Sequence, residues 1–502
     1  MRGPGRAGIA VCLIWMAALV SGCAGAALRA DIHRDGWLLV ETPHIALRTD
    51  LERDDAIERA KQLEHYWQAL ARMYGVIVPG TPSPVGQFPV IHFKRRGDFR
   101  RIARYAGGFV FPAPYWMDEA IAVTWEGSGD AILLHELTHV FNHHHFSGLP
   151  VWAGEGLATF YETLTVRDGE AIIGALPREY LGYWRTPRWL ANLDELRHMK
   201  YEQFHEDAHE KANYFSAWKL VHLLSTTSPD RLRRFRAYLV ALGHTRTSEE
   251  AWALAFGDLP ATELARDYQL YHQRDDLRGW AKPFQWPAPV VPRVRPLRAG
   301  EAHVLWAVLL VRHGERAAAE QQLQLLAAVD PDWPELRYWR ALLLRPPDSL
   351  KLLREYVARV PKDGRGWRAL VTREIDDGLP ASYIGLDGAV PPALVAIEGD
   401  VRNLIQHASD PLSLNLIGWY FALRQNPVTG LNFAIRALQA RPRCGPCWDT
   451  AGLLYFQAGK VHEALKAQER AASLYAERAP PDVLARLRRF RAAAAAASAA
   501  TR

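Results

Sequence analysis

One five-residue run constrains this 502-residue chain more than any other: His135-Glu136-Leu137-Thr138-His139. It sits in Ala131-Ile-Leu-Leu-His-Glu-Leu-Thr-His-Val-Phe141, a good helical context. On a helix, a spacing of four puts both imidazoles on one face, a turn apart, where both can reach one zinc ion. Glu136 is rotated by about 100° from His135. That sets it beside such a metal, where a base must stand to take a proton from metal-bound water. Two histidines leave a catalytic zinc site incomplete, since it needs a third protein ligand and an open position for water. Two residues compete for that place. Glu155 lies in Leu149-Pro-Val-Trp-Ala-Gly-Glu-Gly-Leu-Ala-Thr-Phe-Tyr-Glu162, a second helix whose Gly156 and Ala158 allow close packing on the first. His145 follows His139 by six residues in Asn142-His-His-His145, and Asn142 can take a left-handed turn there.

Composition removes several classes. With 49% hydrophobic residues and 18 Trp, the chain is neither disordered nor collagen-like. Its 61 Lys+Arg against 55 Asp+Glu give +6, without a dense basic tract before the last twenty residues, so nucleic-acid binding is not expected. At the N-terminus, Arg2 and Arg6 precede an apolar run from Ile9 to Val20, then Val20-Ser21-Gly22-Cys23. This resembles a bacterial lipoprotein signal. The resemblance implies a signal peptide over 1–22, lipidation of Cys23, and a lipid-anchored lipoprotein of the cell envelope. In a Gram-negative source, that means the periplasmic side of the outer membrane. No other segment approaches the ~20 apolar residues of a membrane span.

Further along, 23–36 reads as a linker. Trp37-Leu-Leu-Val, His44 to Arg48, Pro89 to Phe93 and Ala120 to Trp125 read as strands. Asp50 to Tyr74 reads as a helix capped by Asp50, and Asp130 to Tyr271 as mainly helical. The proline-rich stretch 282–298 reads as the linker that ends a domain over 37–281. Beyond it, Trp448, Gly452, Tyr455, Gly459, Ala464 and Ala471 fall at the offsets of a tetratricopeptide repeat, a 34-residue helical hairpin. Gly418, Ala437 and Pro442 repeat the pattern one unit earlier, and Gly314, Ala319 and Pro331 echo it weakly. The stretch 332–410 is out of register. This predicts an all-α repeat domain over 299–478, followed by an Ala- and Arg-rich helical tail over 479–502. Cys444-Gly-Pro-Cys447 has the spacing of a redox pair, but an inter-repeat turn without a βαβ unit favours a local structural disulfide.

The helix with its two histidines, a short loop, and Trp152-x-x-Glu155-Gly-Leu-Ala together resemble the gluzincins. More closely they resemble the bacterial peptidase-MA-like family, which also opens with a Trp and a strand ending in Thr-Asp, here Trp37 and Thr49-Asp50. The resemblance covers roughly residues 37–272. It implies an α+β thermolysin-like zincin fold, one Zn2+ held by His135, His139 and Glu155, and Glu136 as general base. It also implies that Glu162 hydrogen-bonds a zinc-bound histidine and that Tyr214 donates to the oxyanion. Gluzincin aminopeptidases carry an acid that holds the substrate's amine, whereas Gly107-Gly-Phe-Val-Phe offers none. The expectation is therefore a membrane-tethered endopeptidase acting on a peptide or protein substrate, aligned by edge pairing on a strand such as Ala120 to Trp125, with repeats that recruit a protein partner. The alternative is a non-catalytic scaffold lipoprotein.

Overall fold

The computed structural model describes residues 36–78, 87–102, 109–111, 121–146, 148–185, 190–206, 208–242, 247–271, 279–285, 289–312, 314–379, 390–475 and 479–500. The signal segment, Cys23 and Gly107 lie outside the described residues. The chain forms two compact units that meet in sequence at Pro296–Leu297.

The first unit is α+β. It begins with β1 (Leu38–Glu41), β2 (Ile45–Thr49), α1 (Arg53–Ile77), β3 (Phe88–Phe93), α2 (Arg96–Ile102), β4 (Phe109–Phe111) and β5 (Ile121–Trp125). Then come α3 (Asp130–His145), α4 (Val151–Tyr161), β6 (Thr165–Arg167), β7 (Glu170–Ile173), α5 (Leu181–Arg185), α6 (Leu193–His198) and α7 (Tyr201–Phe204). It ends with α8 (Glu210–Thr226), α9 (Pro229–Ala241), α10 (Ser248–Phe256), α11 (Ala261–Leu270), β8 (Trp280–Pro283) and β9 (Arg293–Pro296). The main sheet has the order β4-β5-β3-β2-β1-β9, with β2, β3 and β5 parallel and the other pairs antiparallel. All six residues of β3 are buried, as a central parallel strand covered on both faces requires.

Three expectations need correction here. The stretch 282–298 is not a linker: β8 pairs with β7, and β9 pairs with β1. Both are edge strands, where a proline's missing N–H costs no ladder bond. Asp50 does not cap α1. Its carboxylate accepts the Lys94 backbone N–H at 2.6 Å, tying the exit of β2 to that of β3, while Glu52 holds the cap position. Finally, β5 is interior, flanked by β3 and β4, so it offers no free edge to an extended peptide.

Aromatic packing anchors the first histidine helix. Leu133, Leu134, Leu137 and Phe141 are buried on one side of α3, and Phe141 packs on Trp67 and Tyr74 of α1. The Tyr74 hydroxyl donates to Asn142 Oδ1 at 2.6 Å, and Asn142 Nδ2 donates to the Gly154 carbonyl at 3.1 Å. One asparagine thus links α1, α3 and α4. On its other side α4 meets α8 at Gly156, where an added Cβ would stand 2.7 Å from the Ala217 carbonyl oxygen. So close an approach of one backbone to another leaves room for glycine alone.

The second unit is all-α: α12 (Ala299–Arg312), α13 (Arg316–Val329), α14 (Pro334–Leu343), α15 (Asp348–Arg359), α16 (Gly364–Gly378), α17 (Pro392–Ala396), α18 (Glu398–His407), α19 (Pro411–Leu423), α20 (Pro427–Ala440), α21 (Gly445–Gln457), α22 (Val461–Tyr475) and α23 (Pro481–Ala500). Helices α19 and α21 start one repeat length apart, as do α20 and α22. Small residues explain the tight hairpins. Gly418 faces the backbone of Gly430 and Ala434, while Ala437, Ala464 and Ala471 are fully buried. The out-of-register stretch carries the same cap as the last hairpin. Trp367 Nε1 donates to the Pro361 carbonyl and Trp448 Nε1 to that of Pro442, each at 2.8 Å. The separation of these two tryptophans is not a whole number of repeat lengths, so the register is shifted and not lost. Cys444 and Cys447 are disulfide-bonded in the first turn of α21. The C-terminal helix is no loose tail. Val483, Leu487 and Phe490 are buried, and Arg486 pairs with Asp449 at 2.6 Å, only 1% exposed.

Candidate metal centre

Helices α3 and α4 bring three donor atoms together. Glu155 Oε2 lies 3.3 Å from His135 Nε2 and 3.4 Å from His139 Nε2. Those separations are long for hydrogen bonds. They match the ~3.3 Å edge of a tetrahedron with arms of about 2.0–2.1 Å, the bond length of zinc to nitrogen or oxygen. Among the described residues, this is the one trio of His, Cys, Asp or Glu that converges in this way. The donor set therefore fits a zinc ion. His145, the competing third ligand, is turned away: its ring stacks at 5.2 Å on Tyr74 and is 2% exposed.

A second carboxylate stands behind the first histidine. Glu162, 8% exposed, accepts from His135 Nδ1–H at 2.9 Å, which fixes the tautomer and leaves Nε2 to face Glu155. Burial pushes the Glu162 carboxyl up, partly offset by His135. For Glu155, burial works upward too, but His139 and His135 outweigh it and hold the carboxyl well below its ordinary value. Burial alone would lower the His135 imidazole, yet Glu155 and Glu162 raise it well above its usual range. The pocket is thus built to hold positive charge.

Tyr214, in the first turns of α8, has its ring centre 5.9 Å from that of His135. Burial, then the charges of Glu155 and Glu210, push its phenol far up, so at neutral pH it is an O–H donor. Glu136 is half-buried beside His135 on α3, and its charge also acts on Tyr214. One further residue belongs here that sequence reasoning missed. His205 Nε2 lies 4.0 Å from Glu155 Oε1, the oxygen that does not face the histidine pair. Its Nδ1 is 3.2 Å from Glu210 Oε1. His205 lies far beyond Glu155 in Tyr201-Glu-Gln-Phe-His205, a stretch without motif spacing, so no sequence signal marks it.

No protein-family profile matches this chain, and no curated protein matches it. Among solved structures it is similar to TTC0263, a thermophilic TPR protein of Thermus thermophilus. That match has 17% identity, 38% of this chain and 98% of the other, and a TM-score of 0.30. It is also similar to the TPR domain of P58(IPK), with 15% identity, 56% and 80% coverage, and a TM-score of 0.22. Likeness at this level carries no conclusion about activity.

Proposed function

We propose that the chain is a zinc-dependent peptidase whose metal is held by His135, His139 and Glu155. The observation that carries this reading is the convergence of those three donors at 3.3 and 3.4 Å with Glu136 beside them. Bound there, zinc would supply a Lewis acid and a water with a pKa near 7. The chain's own groups have distinct tasks. Glu136 takes the water's proton and delivers it to the leaving amine. Glu162 keeps His135 in the liganding tautomer through the 2.9 Å bond. The neutral Tyr214 phenol donates to the developing oxyanion without adding charge to the ground state. A thermolysin-like arrangement of the first unit is part of this reading.

A second reading is favoured by the repeat-length spacing of α19–α20 and α21–α22. Tetratricopeptide-like hairpins present surfaces to protein partners, so the chain can serve as a scaffold with or without hydrolysis. Anchoring through a lipidated Cys23 completes the proposal and is tested by incorporation of labelled palmitate.

The deciding experiment measures zinc content and cleavage of a mixed protein substrate, on protein from residue 24 onward, for wild type and Glu136→Gln. The peptidase requires stoichiometric zinc in both and cleavage lower by about 10²–10⁴-fold in the variant. Zinc in both with cleavage by neither leaves the scaffold. Protein without zinc overturns the metal centre.

A further inference from the structure

The N-terminal turns of α19 and α21 stand one repeat length apart and can be compared residue by residue. Asp410 caps α19. Its Oδ1 accepts the backbone N–H groups of Leu412 at 3.0 Å and Ser413 at 2.9 Å, and its Oδ2 accepts the Ser413 hydroxyl at 2.6 Å. One repeat later Cys444 takes the place of Asp410, and Cys447 that of Ser413. Cys444 caps α21, and its Sγ accepts the Cys447 backbone N–H at 3.1 Å. A third helix agrees, since Asp363 caps α16 at the same distance before Trp367 as Cys444 keeps before Trp448. The place filled by Cys444 is one where this fold seats an anion. Burial pushes the Asp410 carboxyl up, but Arg368, Ser413 and Leu412 outweigh it and hold it below its ordinary value.

A cysteine in that place is suited to the thiolate form, which helix N-termini and neighbouring arginines favour. The first turn of α21 carries no acid. Arg443 directly precedes the cap, and its Nη1 is shielded from solvent without a hydrogen-bond partner. Both cysteines pack with Leu414 and Ala437, but Cys447 is fully enclosed whereas Cys444 keeps 5% exposure. Apolar enclosure favours the neutral thiol at Cys447. Its S–H can then donate to the Cys444 thiolate as the Ser413 hydroxyl donates to Asp410. As a staple the disulfide contributes little, because its partners are only three residues apart and the entropy a cross-link removes shrinks with loop length.

We infer that Cys444 and Cys447 are a reversible thiol–disulfide couple, reduced by external thiols without unfolding of α21 and α22. In the first step an external thiolate attacks Cys444 Sγ, the S–S bond breaks, and Cys447 Sγ leaves with the electron pair and takes up a proton. In the second, another external thiolate attacks the external sulfur of the mixed disulfide, and Cys444 leaves as the capping thiolate. The two external thiols end as a disulfide, having supplied two electrons. Of the two protons they shed, one goes to Cys447 and the other to solvent.

The test equilibrates the full chain with glutathione buffers of graded oxidation. Differential alkylation and mass spectrometry read the peptide that holds Cys444 and Cys447, and hydrogen exchange follows α21 and α22 in the same samples. The couple requires reduction and reoxidation within the range of glutathione ratios, with protection of both helices retained. Structural disulfides resist reduction by glutathione, so a pair that stays oxidised at every ratio overturns the inference. Reduction accompanied by loss of protection across both helices overturns it as well. Two double variants test the cap. Cys444→Asp with Cys447→Ser, which copies the earlier repeat, should keep the protection of α21. Cys444→Ala with Cys447→Ala should speed its exchange about fivefold, as loss of a cap implies. Equal exchange in the two variants overturns the anionic cap and the inference with it. Cys447→Ser alone should hold glutathione on Cys444 as a mixed disulfide, and absence of that adduct overturns the attack at Cys444.

Discussion

The two units solve the problem of making a core in different ways. In the first, one large cluster gathers buried apolar residues from Val40 to Phe284, although Ile91, Phe93, Phe99 and Val123 are buried outside it, and the chain ends of that unit meet in the sheet, where β9 pairs with β1. In the second, the buried residues fall into separate clusters, each shared between neighbouring helices. Non-local pairing makes a structure fold as a whole, whereas stacked hairpins behave as a sum of local stabilities and neighbour contacts. The difference suits the roles proposed above. A site with ligands from two helices and a tyrosine from a third needs a body that does not open piecemeal, while a repeat surface tolerates local adjustment.

The largest expected stability effect tests the repeat side of this contrast. Arg486→Leu removes the cation from a buried pair with Asp449, and losing one partner of such a pair costs about 3–5 kcal/mol. Hydrogen exchange should report lost protection in α21–α23 and little change in α12–α15. Equal loss in α12–α15 would mean that the hairpins form one cooperative block, and the contrast would fail.

The next effect probes the first unit through pH. His92 of β3 is 1% exposed, with Nδ1 on Thr124 and Nε2 on Glu126. Burial lowers its pKa to about 4, with the Glu126 bond offsetting only part of that. An unfolded chain takes up this proton near 6.5 and the native one near 4, so the unfolded state binds more protons in between. Stability should therefore fall as pH drops from 6.5 to 4, by about 3 kcal/mol at roughly 1.36 kcal/mol per unit. Denaturant titrations across that window should show the slope in wild type and its absence in His92→Gln. A variant that keeps the slope assigns the effect to another group.

Smaller changes sharpen the picture at single contacts. Glu162→Gln should weaken zinc binding about 10–100-fold in a chelator competition, because His135 loses the carboxylate that orients it. An unchanged affinity would deny Glu162 that role. The smallest effect lies in a hairpin turn. Gly459 has a φ of +74°, and one repeat earlier the same turn is made by Gln425 with a φ of +53°. Gln425→Gly should relieve left-handed strain and stabilise the unit by about 0.5–1 kcal/mol, read as a higher denaturation midpoint. A lower midpoint would show that the glutamine side chain contributes more than its backbone costs.

Much of the site is legible along the chain. His135 and His139 lie one turn apart on α3, and Glu155 and Glu162 come from one segment at a spacing of seven. The hairpin between β6 and β7 is legible too, because Asp168-Gly169 is a turn pair with positive φ at both residues, yet a mainly helical reading passes over it. Other features have no local signal. Strands β8 and β9 sit among prolines that look like a linker, and edge strands accept prolines that central strands refuse. Arg486 counts as a surface residue until a buried aspartate is seen beside it.

The sequence by itself determined which residues share a helical face and where hairpins recur, because the helical period and the repeat length are properties of the chain alone. That includes the two histidines, Glu136 between them, and the start points of α19 through α22. Only the tertiary structure decided that Glu155 and not His145 faces the histidine pair, and that His205 and Glu210 arrive beside them. Those choices depend on how helices pack, through Asn142 between α1 and α4 and through Gly156 against α8, and packing of separate helices is not a periodic property of any one of them.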